Sequence, residues 1–140
     1  MSAGFDRLGL NFFGADLEYG KMELRPGHTA DCFLIVEHTN DVEFVRKQAL
    51  ELLLACDGWF QIYGKQEPFW HQILDETDVL LHSDPEKFAV TAGYDDLDNF
   101  VNELDLCIHA RTLVPHDVFL LYDDLDLYRE VLRRLGIVKQ

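Results

Sequence analysis

Short apolar segments alternate with amphipathic segments through most of the chain. Four apolar runs begin near residues 32, 59, 88 and 118 and predict the β-strands 32–37, 59–63, 87–92 and 118–122. Their spacing is close to the ~30 residues that one βαβ unit occupies. Continuous rather than alternating apolar strands are typical of parallel sheets that are covered on both faces.

Apolar residues between these runs recur at helical spacing, and local signals mark where the helices begin. Asn40, three residues before Glu43, has the pattern of an N-cap with its capping-box partner, and Pro68 suits the first turn of the second helix. The remaining two helices begin with an acidic cap, either Asp95 or Asp96 for the third and Asp124 for the fourth. The pattern therefore predicts a three-layer α/β sandwich of about four mainly parallel strands with helices on both faces.

The first 31 residues follow a different pattern. Short segments with partial alternation occur at residues 11–13, 17–19 and 22–24, and they are followed by Arg25-Pro26-Gly27. We expect one or two edge strands or a hairpin, packed on the repeated βα units of residues 32–140. No linker-like composition separates the two parts, so the sequence predicts a single domain over residues 1–140.

The charge of the chain is strongly negative and concentrated in one region. There are 12 Lys and Arg against 26 Asp and Glu, a formal net charge of −14, and residues 75–126 hold 14 acids with two basic residues. Such a surface repels nucleic-acid phosphate and anionic lipid, and it attracts basic proteins and cations. No apolar stretch approaches the ~20 residues that span a bilayer. We therefore expect no direct binding to nucleic acid and no membrane association.

Two copies of one acidic motif follow the third and fourth predicted strands. Residues 94–100 read YDDLDNF and residues 122–128 read YDDLDLY, a likeness that either duplication or convergence on one strand-to-helix turn explains. Because the carboxyl ends of parallel strands meet at one edge of the sheet, where ligands usually bind, we expect a rim of side chains there. The residues of this predicted rim are Tyr94, Asp95, Asp96, Asp98, Tyr122, Asp123, Asp124 and Asp126.

Helix formation explains part of this acidity. Asp is a preferred N-cap, and an acid in the first turn of a helix is stabilised by the helix dipole, by ~0.3–1 kcal/mol at exposed sites. Three carboxylates on one turn exceed what capping needs, because they also repel each other. This excess motivates two functional hypotheses.

The first hypothesis is a non-enzymatic binding protein whose acidic rim docks on a basic protein partner. Lys and Arg of the partner relieve the crowding of like charges, and the field of the rim speeds the encounter. Tyr94 and Tyr122 adjoin the two turns and are candidate anchors, with Trp70 as a further one, whereas Phe100 and Tyr128 have the spacing of core residues. No P-loop, G-x-G-x-x-G or G-x-S-x-G motif occurs, so no sequence motif requires a cofactor or a catalytic serine.

In size, charge and absence of catalytic motifs, the chain resembles the immunity proteins of bacterial toxin systems. These are small, cytoplasmic, often strongly acidic domains that neutralise a basic nuclease or similar toxin by covering it. The resemblance implies an inhibitor that binds a toxin without catalysis, and it assigns no residue. Three cysteines, too few for a disulfide framework, and an N-terminus without an apolar h-region agree with a reducing cytoplasm. The sequence leaves the oligomeric state open.

The second hypothesis is an enzyme that uses Mg²⁺ to act on phosphate esters. Carboxylates at strand ends hold Mg²⁺ through oxygen, and the metal neutralises phosphate charge. Glu37 after the first strand, with Asp96 and Asp98 after the third, looks like the Glu and D-x-D arrangement of Toprim domains. The chain departs from that pattern because His38 and Thr39 follow Glu37, where the family usually has Gly. Its negative charge also lacks the attraction that such an enzyme needs for its substrate.

Histidines and cysteines offer weaker candidates. His38 and His71 would act as a general base or a metal ligand if they met at the rim, although the sequence favours surface or partly buried polar residues at both positions. The six histidines show neither H-E-x-x-H nor a C-x-x-C partner, so no spacing supports a zinc site. The three cysteines adjoin apolar runs and are expected to be small buried hydrophobes. A Cys107–His109 nucleophile pair needs an extended segment, since only then do residues two apart share a face.

Overall fold

The computed structural model describes residues 5–18, 22 and 25–137, and it shows a six-stranded sheet with four helices packed on it. The strands are β1 (Phe5–Arg7), β2 (Phe12–Asp16), β3 (Thr29–Ile35), β4 (Trp59–Tyr63), β5 (Val90–Tyr94) and β6 (His116–Tyr122). The helices are α1 (Val42–Ala55), α2 (Glu67–Leu81), α3 (Leu97–His109) and α4 (Leu125–Arg134). The predicted α/β class is confirmed, with six strands in place of about four.

The two additional strands come from the N-terminal segment. β1 and β2 pair antiparallel as a hairpin, and β2 joins the edge of the sheet by pairing parallel with β6. A hairpin, one of the alternatives expected for residues 1–31, is therefore present. β1 lies before all of the predicted segments, however, and Leu17 and Glu18 of the predicted segment 17–19 form a turn rather than a strand. Residues 19–21, 23 and 24, which hold parts of the predicted segments 17–19 and 22–24, lie outside the described residues.

The order in which the chain adds strands to the sheet reverses between β3 and β6, although the two strands themselves run parallel. From one edge to the other the order is β1-β2-β6-β3-β4-β5, and every pair except β1–β2 is parallel. The chain steps from β3 through α1 to β4 and through α2 to β5, and it then returns through α3 to β6 on the other side of β3. In open α/β sheets such a switch point forms a crevice at the carboxyl ends of its strands, where ligands bind.

Helices cover both faces of the sheet because successive strand residues point in opposite directions. On β3, Cys32 and Leu34 pack in one core with α1 and α2, whereas Phe33 and Ile35 pack in a second core with α3 and α4. The central strands are buried almost completely, as their continuous apolar runs predict. This confirms the three-layer arrangement.

Several predicted bounds are wrong by a few residues. β3 begins three residues before the predicted strand 32–37, and β6 begins two residues before the predicted start at residue 118. β5 is displaced from 87–92 to 90–94 because Pro85–Lys87 forms a 3-10 helix, with the Asp84 carboxylate accepting the backbone N–H of Glu86.

The N-cap of α1 also differs from the prediction. Asp41 rather than Asn40 is the cap, and its carboxylate accepts the backbone N–H of Phe44 at 3.0 Å. A charged acceptor forms a stronger bond to this N–H than a neutral amide does, so Asp at the next position outweighs the Asn–Glu capping-box pattern.

Candidate functional site

The two acidic turns lie at the same edge of the sheet, as predicted. They follow β5 and β6. Because β3, β4, β5 and β6 all run parallel, their carboxyl ends lie at one edge of the sheet. We call this surface the acidic edge and define it by the eight rim residues Tyr94, Asp95, Asp96, Asp98, Tyr122, Asp123, Asp124 and Asp126. Its members differ sharply in how they are engaged within the protein.

Asp123 occupies the crevice at the switch point. Its carboxylate accepts three backbone N–H groups from the loop after β3, those of Glu37 at 2.8 Å, His38 at 2.9 Å and Thr39 at 2.8 Å. Its own backbone N–H donates to the carbonyl of Ile35 at 3.1 Å. Successive backbone N–H groups of this kind form a concavity that binds anions. Here the chain's own carboxylate fills that concavity.

Trp70 holds the same loop through a further hydrogen bond. Its indole N–H donates to the carbonyl of Thr39 at 2.8 Å, and its side chain is fully buried against α1 and the sheet. The prediction that Trp70 is an exposed anchor is therefore wrong. Trp70 lies on the buried face of α2 together with Ile73 and Leu74, which follow it at helical spacing.

Asp124 combines two structural contacts. Its carboxylate accepts the backbone N–H of Leu127 as the N-cap of α4, and it lies 2.9 Å from Nε2 of His38. The hydrogen bond from Leu127, with the contribution of His38, holds the pKa of Asp124 below its usual value although partial burial acts in the opposite direction. Asp126, in the first turn of the same helix, is exposed.

The turn after β5 follows the same plan. Asp96 is the N-cap of α3 and accepts the backbone N–H groups of Asp98 and Asn99. The exposed Asp98 side chain contacts the guanidinium of Arg134 on α4. Asp95 is exposed and precedes the cap. Of the six rim carboxylates, Asp96, Asp123 and Asp124 therefore fix local structure, and Asp95, Asp98 and Asp126 face solvent.

The two rim tyrosines pack against the second core. Tyr122 is 9% exposed and stacks on Tyr128 with ring centroids 4.0 Å apart. Tyr94 is half-buried, lies edge-on to Phe100, and donates its hydroxyl hydrogen to Oε1 of Gln61 at 2.7 Å. Tyr122 therefore offers a partner almost no area, whereas Tyr94 presents part of its ring at the edge.

The three proposed magnesium ligands are not assembled into a site. Glu37 accepts the backbone N–H of Lys65 at 3.1 Å, while Asp96 caps α3 and Asp98 contacts Arg134. Throughout the part of the chain that the structure describes, no group of three or more His, Cys, Asp or Glu side chains has the arrangement of a metal site. The magnesium hypothesis stays a prediction.

The histidine and cysteine candidates have separate surroundings. His38 contacts Asp124, while Nδ1 of His71 lies 3.0 Å from the Glu67 carboxylate on α2, so each histidine has its own carboxylate partner. Cys107 and His109 both lie on α3, where residues two apart point in different directions, so the extended segment that a nucleophile pair needs is absent.

Burial explains the state of the thiols. Cys32 and Cys56 are buried in the first core, as expected, and desolvation raises the pKa of Cys56 to about 12. Cys107 is only partly buried, yet desolvation first, and then the carboxylates of Asp31 and Glu103, raise its pKa to about 12 as well. Thiols with such raised pKa values are poor nucleophiles at neutral pH.

A polar cluster at the opposite, amino-terminal edge of the sheet was missed by the sequence analysis. The carboxylate of Asp117 lies 2.8 Å from Nε of Arg25 and 3.3 Å from Nδ1 of His28. The carboxylate of Asp31 lies 3.0 Å from Nε2 of His116. The available signal is a charged residue immediately before or within the apolar run of a buried strand, which requires a buried partner.

The fold defines an α/β protein with a mainly parallel sheet, and comparisons with known proteins agree at that level. A murein peptide ligase from Psychrobacter arcticus superposes with a TM-score of 0.55 at 12% identity, over 98% of this chain and 30% of that one. At this identity the likeness concerns the fold alone. No helix in the described part of the chain has the length and apolarity that crossing a membrane requires.

One curated protein is similar in sequence over part of its length. A polyamine aminopropyltransferase of Archaeoglobus fulgidus is 34% identical over 59 residues, which is 42% of this chain and 22% of that protein. The matched region therefore spans about a fifth of the relative's length. No protein-family model matches the chain.

Proposed function

We propose that this protein is a non-enzymatic binding protein that docks a basic protein partner through its acidic edge. The observation that carries the proposal is the position of the Asp123 carboxylate, which takes the three backbone N–H groups of the crevice at the switch point. A small anionic ligand or nucleotide phosphate would compete with this carboxylate for the same donors. The edge is therefore better suited to a partner that covers it than to a ligand that enters it.

Electrostatics supports a basic partner. Asp95, Asp98 and Asp126 are exposed at the edge of a chain whose formal net charge is −14. Arg134 contacts Asp98 and partly neutralises its charge. Among the described contacts, no side-chain hydrogen bond or ion pair neutralises Asp95 or Asp126 in the same way. Lys and Arg of a partner would supply it and would be attracted from a distance.

The finer form of the proposal is an immunity-type inhibitor, which neutralises a basic bacterial toxin in the cytoplasm by covering it. The three thiols are all free, and two of them are buried, which suits a reducing compartment. The raised pKa of each thiol argues against a role in cysteine catalysis. Binding without chemistry is what such an inhibitor requires.

Affinity capture with matched variants tests this proposal. The immobilised protein is exposed to lysate of the organism that encodes it, at low and at high salt, and retained proteins are identified by mass spectrometry. We expect a basic protein that is retained by the wild type and lost from the variant Asp95→Asn/Asp98→Asn/Asp126→Asn. The control Glu51→Gln/Glu76→Gln/Asp105→Asn removes three exposed acids from the outer surfaces of α1, α2 and α3 and should retain the partner.

Equal retention by both triple variants would remove the acidic edge from the proposal. Docking by charge complementarity at this edge would also be contradicted if the wild type retained acidic proteins alone. Equal loss of the basic protein from the control variant and from the acidic-edge variant would contradict it as well. Retention at high salt would add apolar contacts to the charged ones, because screening weakens exposed ion pairs.

Polyamine binding is a second candidate function, favoured by the 34% identity to the polyamine aminopropyltransferase. Polyamines are flexible cations, and the negative charge of this chain attracts them for the same reason that it attracts basic proteins. A polyamine that binds the folded state raises the melting temperature by linkage. We expect spermidine to raise it more than NaCl of equal ionic strength if this candidate is correct, and equal shifts would exclude it.

A further inference from the structure

A groove opens where the amino ends of the parallel strands lie, at the edge of the sheet opposite the acidic edge. It lies between the C-terminal end of α1 and the starts of β4 and β5, and its volume is about 460 Å³. Its walls are mixed: Leu53, Leu54, Trp59, Phe88 and Val90 contribute apolar surface, and Asp57, His82 and Glu86 contribute polar surface. None of these residues belongs to the acidic edge, so the groove is a separate surface.

Large apolar side chains of the groove face water. Leu54 is 71% exposed, Trp59 is 50% exposed and Val90 is 45% exposed. Single exposed apolar residues are normal on a protein surface, but these three line one concavity, so one bound molecule could contact all of them. Trp is also one of the residue types enriched among the residues that contribute most to binding at the centres of interfaces.

β5, the strand beside the groove, is an outermost strand of the sheet. β5 pairs with β4, and no other strand in the described residues pairs with it. Edge strands expose backbone N–H and C=O groups that accept a further strand, and proteins often block them with Lys or Pro. β5 has the sequence VTAGY and carries neither. It begins at Val90 in the groove and ends at Tyr94, directly before the acids of the edge.

Charge selects among the molecules that would fit this surface. Asp57 and Glu86 line the groove, and Asp95 and Asp98 follow the other end of β5. A second copy of the chain would bring its own net charge of −14 to an already acidic surface. A basic segment, in contrast, meets carboxylates at both ends of the strand.

We propose that an extended, basic segment of the partner protein adds to β5 as a further strand of the sheet. Its apolar side chains pack on Leu54, Trp59 and Val90, and its Lys and Arg side chains reach the carboxylates at both ends of β5. This inference rests on the proposed function, since it assumes a basic protein partner, and it specifies how that partner is held. Backbone pairing supplies affinity, and the groove and acids supply specificity.

A synthetic peptide tests the proposed strand addition. The probe is a ten-residue, tryptophan-free peptide of alternating Val and Lys, and the readout is tryptophan fluorescence of the full chain. Trp59 is half-exposed and Trp70 is fully buried, so a change on binding reports on Trp59. We expect a saturable blue shift with the Val–Lys peptide, and no shift with a Val–Glu peptide of the same length.

Two matched variants locate the binding site. Leu54→Lys removes an apolar contact and places a positive charge in the groove, whereas Leu113→Lys makes the same change at an exposed leucine outside it. We expect Leu54→Lys to weaken peptide binding about tenfold or more, and Leu113→Lys to leave it within about twofold. Both leucines are exposed, so both variants should fold, which circular dichroism checks.

A backbone-methylated peptide separates strand pairing from general attraction. Methylation of alternate peptide nitrogens keeps the charge and the side chains but removes the hydrogen bonds that an added strand needs. We expect the methylated peptide to lose binding. The unmodified peptide should bind and slow the hydrogen exchange of the β5 amides. Equal binding by the methylated peptide, or equal binding by Leu54→Lys, would overturn the proposal.

Two further outcomes would overturn this proposal and leave the proposed function standing. A concentration-dependent blue shift without peptide, together with a dimer in analytical ultracentrifugation, would assign the groove to a second copy. A captured basic protein whose retention is unchanged in Leu54→Lys but lost on neutralising Asp95, Asp98 and Asp126 would place docking at the acidic edge alone.

Discussion

At the scale of single residues, Asp123 contributes most to the shape of the carboxyl edge. It joins the end of β6 to the loop after β3 through three backbone N–H groups, and Trp70 bonds to the carbonyl of Thr39 in the same loop. Hydrogen bonds to a charged acceptor are stronger than those between neutral groups. The loop is therefore fixed through three of its N–H groups and one of its carbonyl groups, and these N–H donors are unavailable to an added anion.

Replacement of Asp123 by Asn should destabilise the protein substantially. Oδ1 accepts from Glu37 and Oδ2 accepts from both His38 and Thr39. In either orientation, the NH2 group of Asn therefore faces at least one backbone N–H, from which it cannot accept a hydrogen bond. We expect a loss of about 2–4 kcal/mol in the free energy of unfolding, measured with urea. The exposed Asp126→Asn is the control and should change it by less than about 0.5 kcal/mol. Equal effects would contradict the role of Asp123.

Asp117 makes a prediction about acid stability. Burial favours a higher pKa, but the hydrogen bonds and charge of Arg25, with a contribution from His28, lower the pKa of Asp117 below 3.8. A lowered pKa in the folded state stabilises the protein above pH 3.8, and this contribution is lost as the pH falls through the folded-state pKa.

The substitution Asp117→Asn tests that prediction. At pH 7 it should cost about 1.5–3 kcal/mol, as expected for a hydrogen bond between charged groups. The difference from the wild type should stay constant down to about pH 5 and shrink below pH 3.8, in urea titrations at each pH. A difference that stays constant to pH 2 would show that the carboxylate charge is not what stabilises the fold.

Single residues also show what the sequence does not determine. Tyr122 adjoins an acidic turn and was therefore a candidate anchor for a partner, but it is the last residue of β6 and packs in the core with α3 and α4. The burial of Trp70, a further candidate anchor, was not predicted for a similar reason, because it depends on α2 packing beside α1. Which face of an element is covered follows from tertiary packing rather than from neighbouring residues in the chain.

At the scale of secondary structure, the acidic turns serve mainly as helix caps. Asp96 and Asp124 each bond to backbone N–H groups in the first turn of their helix, α3 and α4 respectively. The expectation that helix formation explains part of the acidity is confirmed in these contacts. The acids that remain available to a partner are those beside the caps, Asp95 and Asp126, together with Asp98.

Adjacent residues of one turn allow a direct test of capping. Asp96→Ala removes the N-cap of α3 and should lower the free energy of unfolding by about 1 kcal/mol. Asp95→Ala removes the same charge one residue earlier and should have an effect below about 0.5 kcal/mol. Hydrogen exchange of the Asp98 and Asn99 amides should accelerate in the first variant only. Equal exchange in both would contradict the assignment of the cap.

Elements with strong local signals were predicted well. β4 matches the predicted strand 59–63 because Trp59–Tyr63 is apolar except for Gln61 and lies between Gly58 and Gly64. Gly64 is needed there, since its φ is 130° and a Cβ would lie 2.3 Å from the carbonyl oxygen of Val36. β5 was displaced because the turn after Asp84-Pro85 continues as a 3-10 helix, which apolar periodicity does not indicate.

At the scale of the whole molecule, the net charge should limit stability at low salt. A chain with a formal charge of −14 repels itself when folded, and salt screens this repulsion. We expect the melting temperature to rise by several degrees, on the order of 3–6 °C, between about 20 mM and 500 mM NaCl. The rise should be smaller in Asp95→Asn/Asp98→Asn/Asp126→Asn. A melting temperature that falls with salt would show that attractive pairs outweigh repulsion.

The strand order explains why the candidate site was only partly predicted. Apolar runs indicate βα units, and the acidic rim follows from their carboxyl ends, but neither pattern states that β6 lies beside β3. The contact of Asp123 with residues 37–39 depends on that neighbourhood and joins positions more than 80 residues apart. The closed crevice is therefore a property of the assembled sheet.

The central claim, docking of a basic partner on the acidic edge, is tested most directly by association kinetics. The measurement is the association rate constant of the captured basic protein as a function of NaCl concentration, for the wild type and for Asp95→Asn/Asp98→Asn/Asp126→Asn. Steered association predicts about tenfold slower binding by the variant at low salt, with a flatter salt dependence and a smaller change in dissociation. Identical rates and identical salt dependence in the two proteins would contradict the claim.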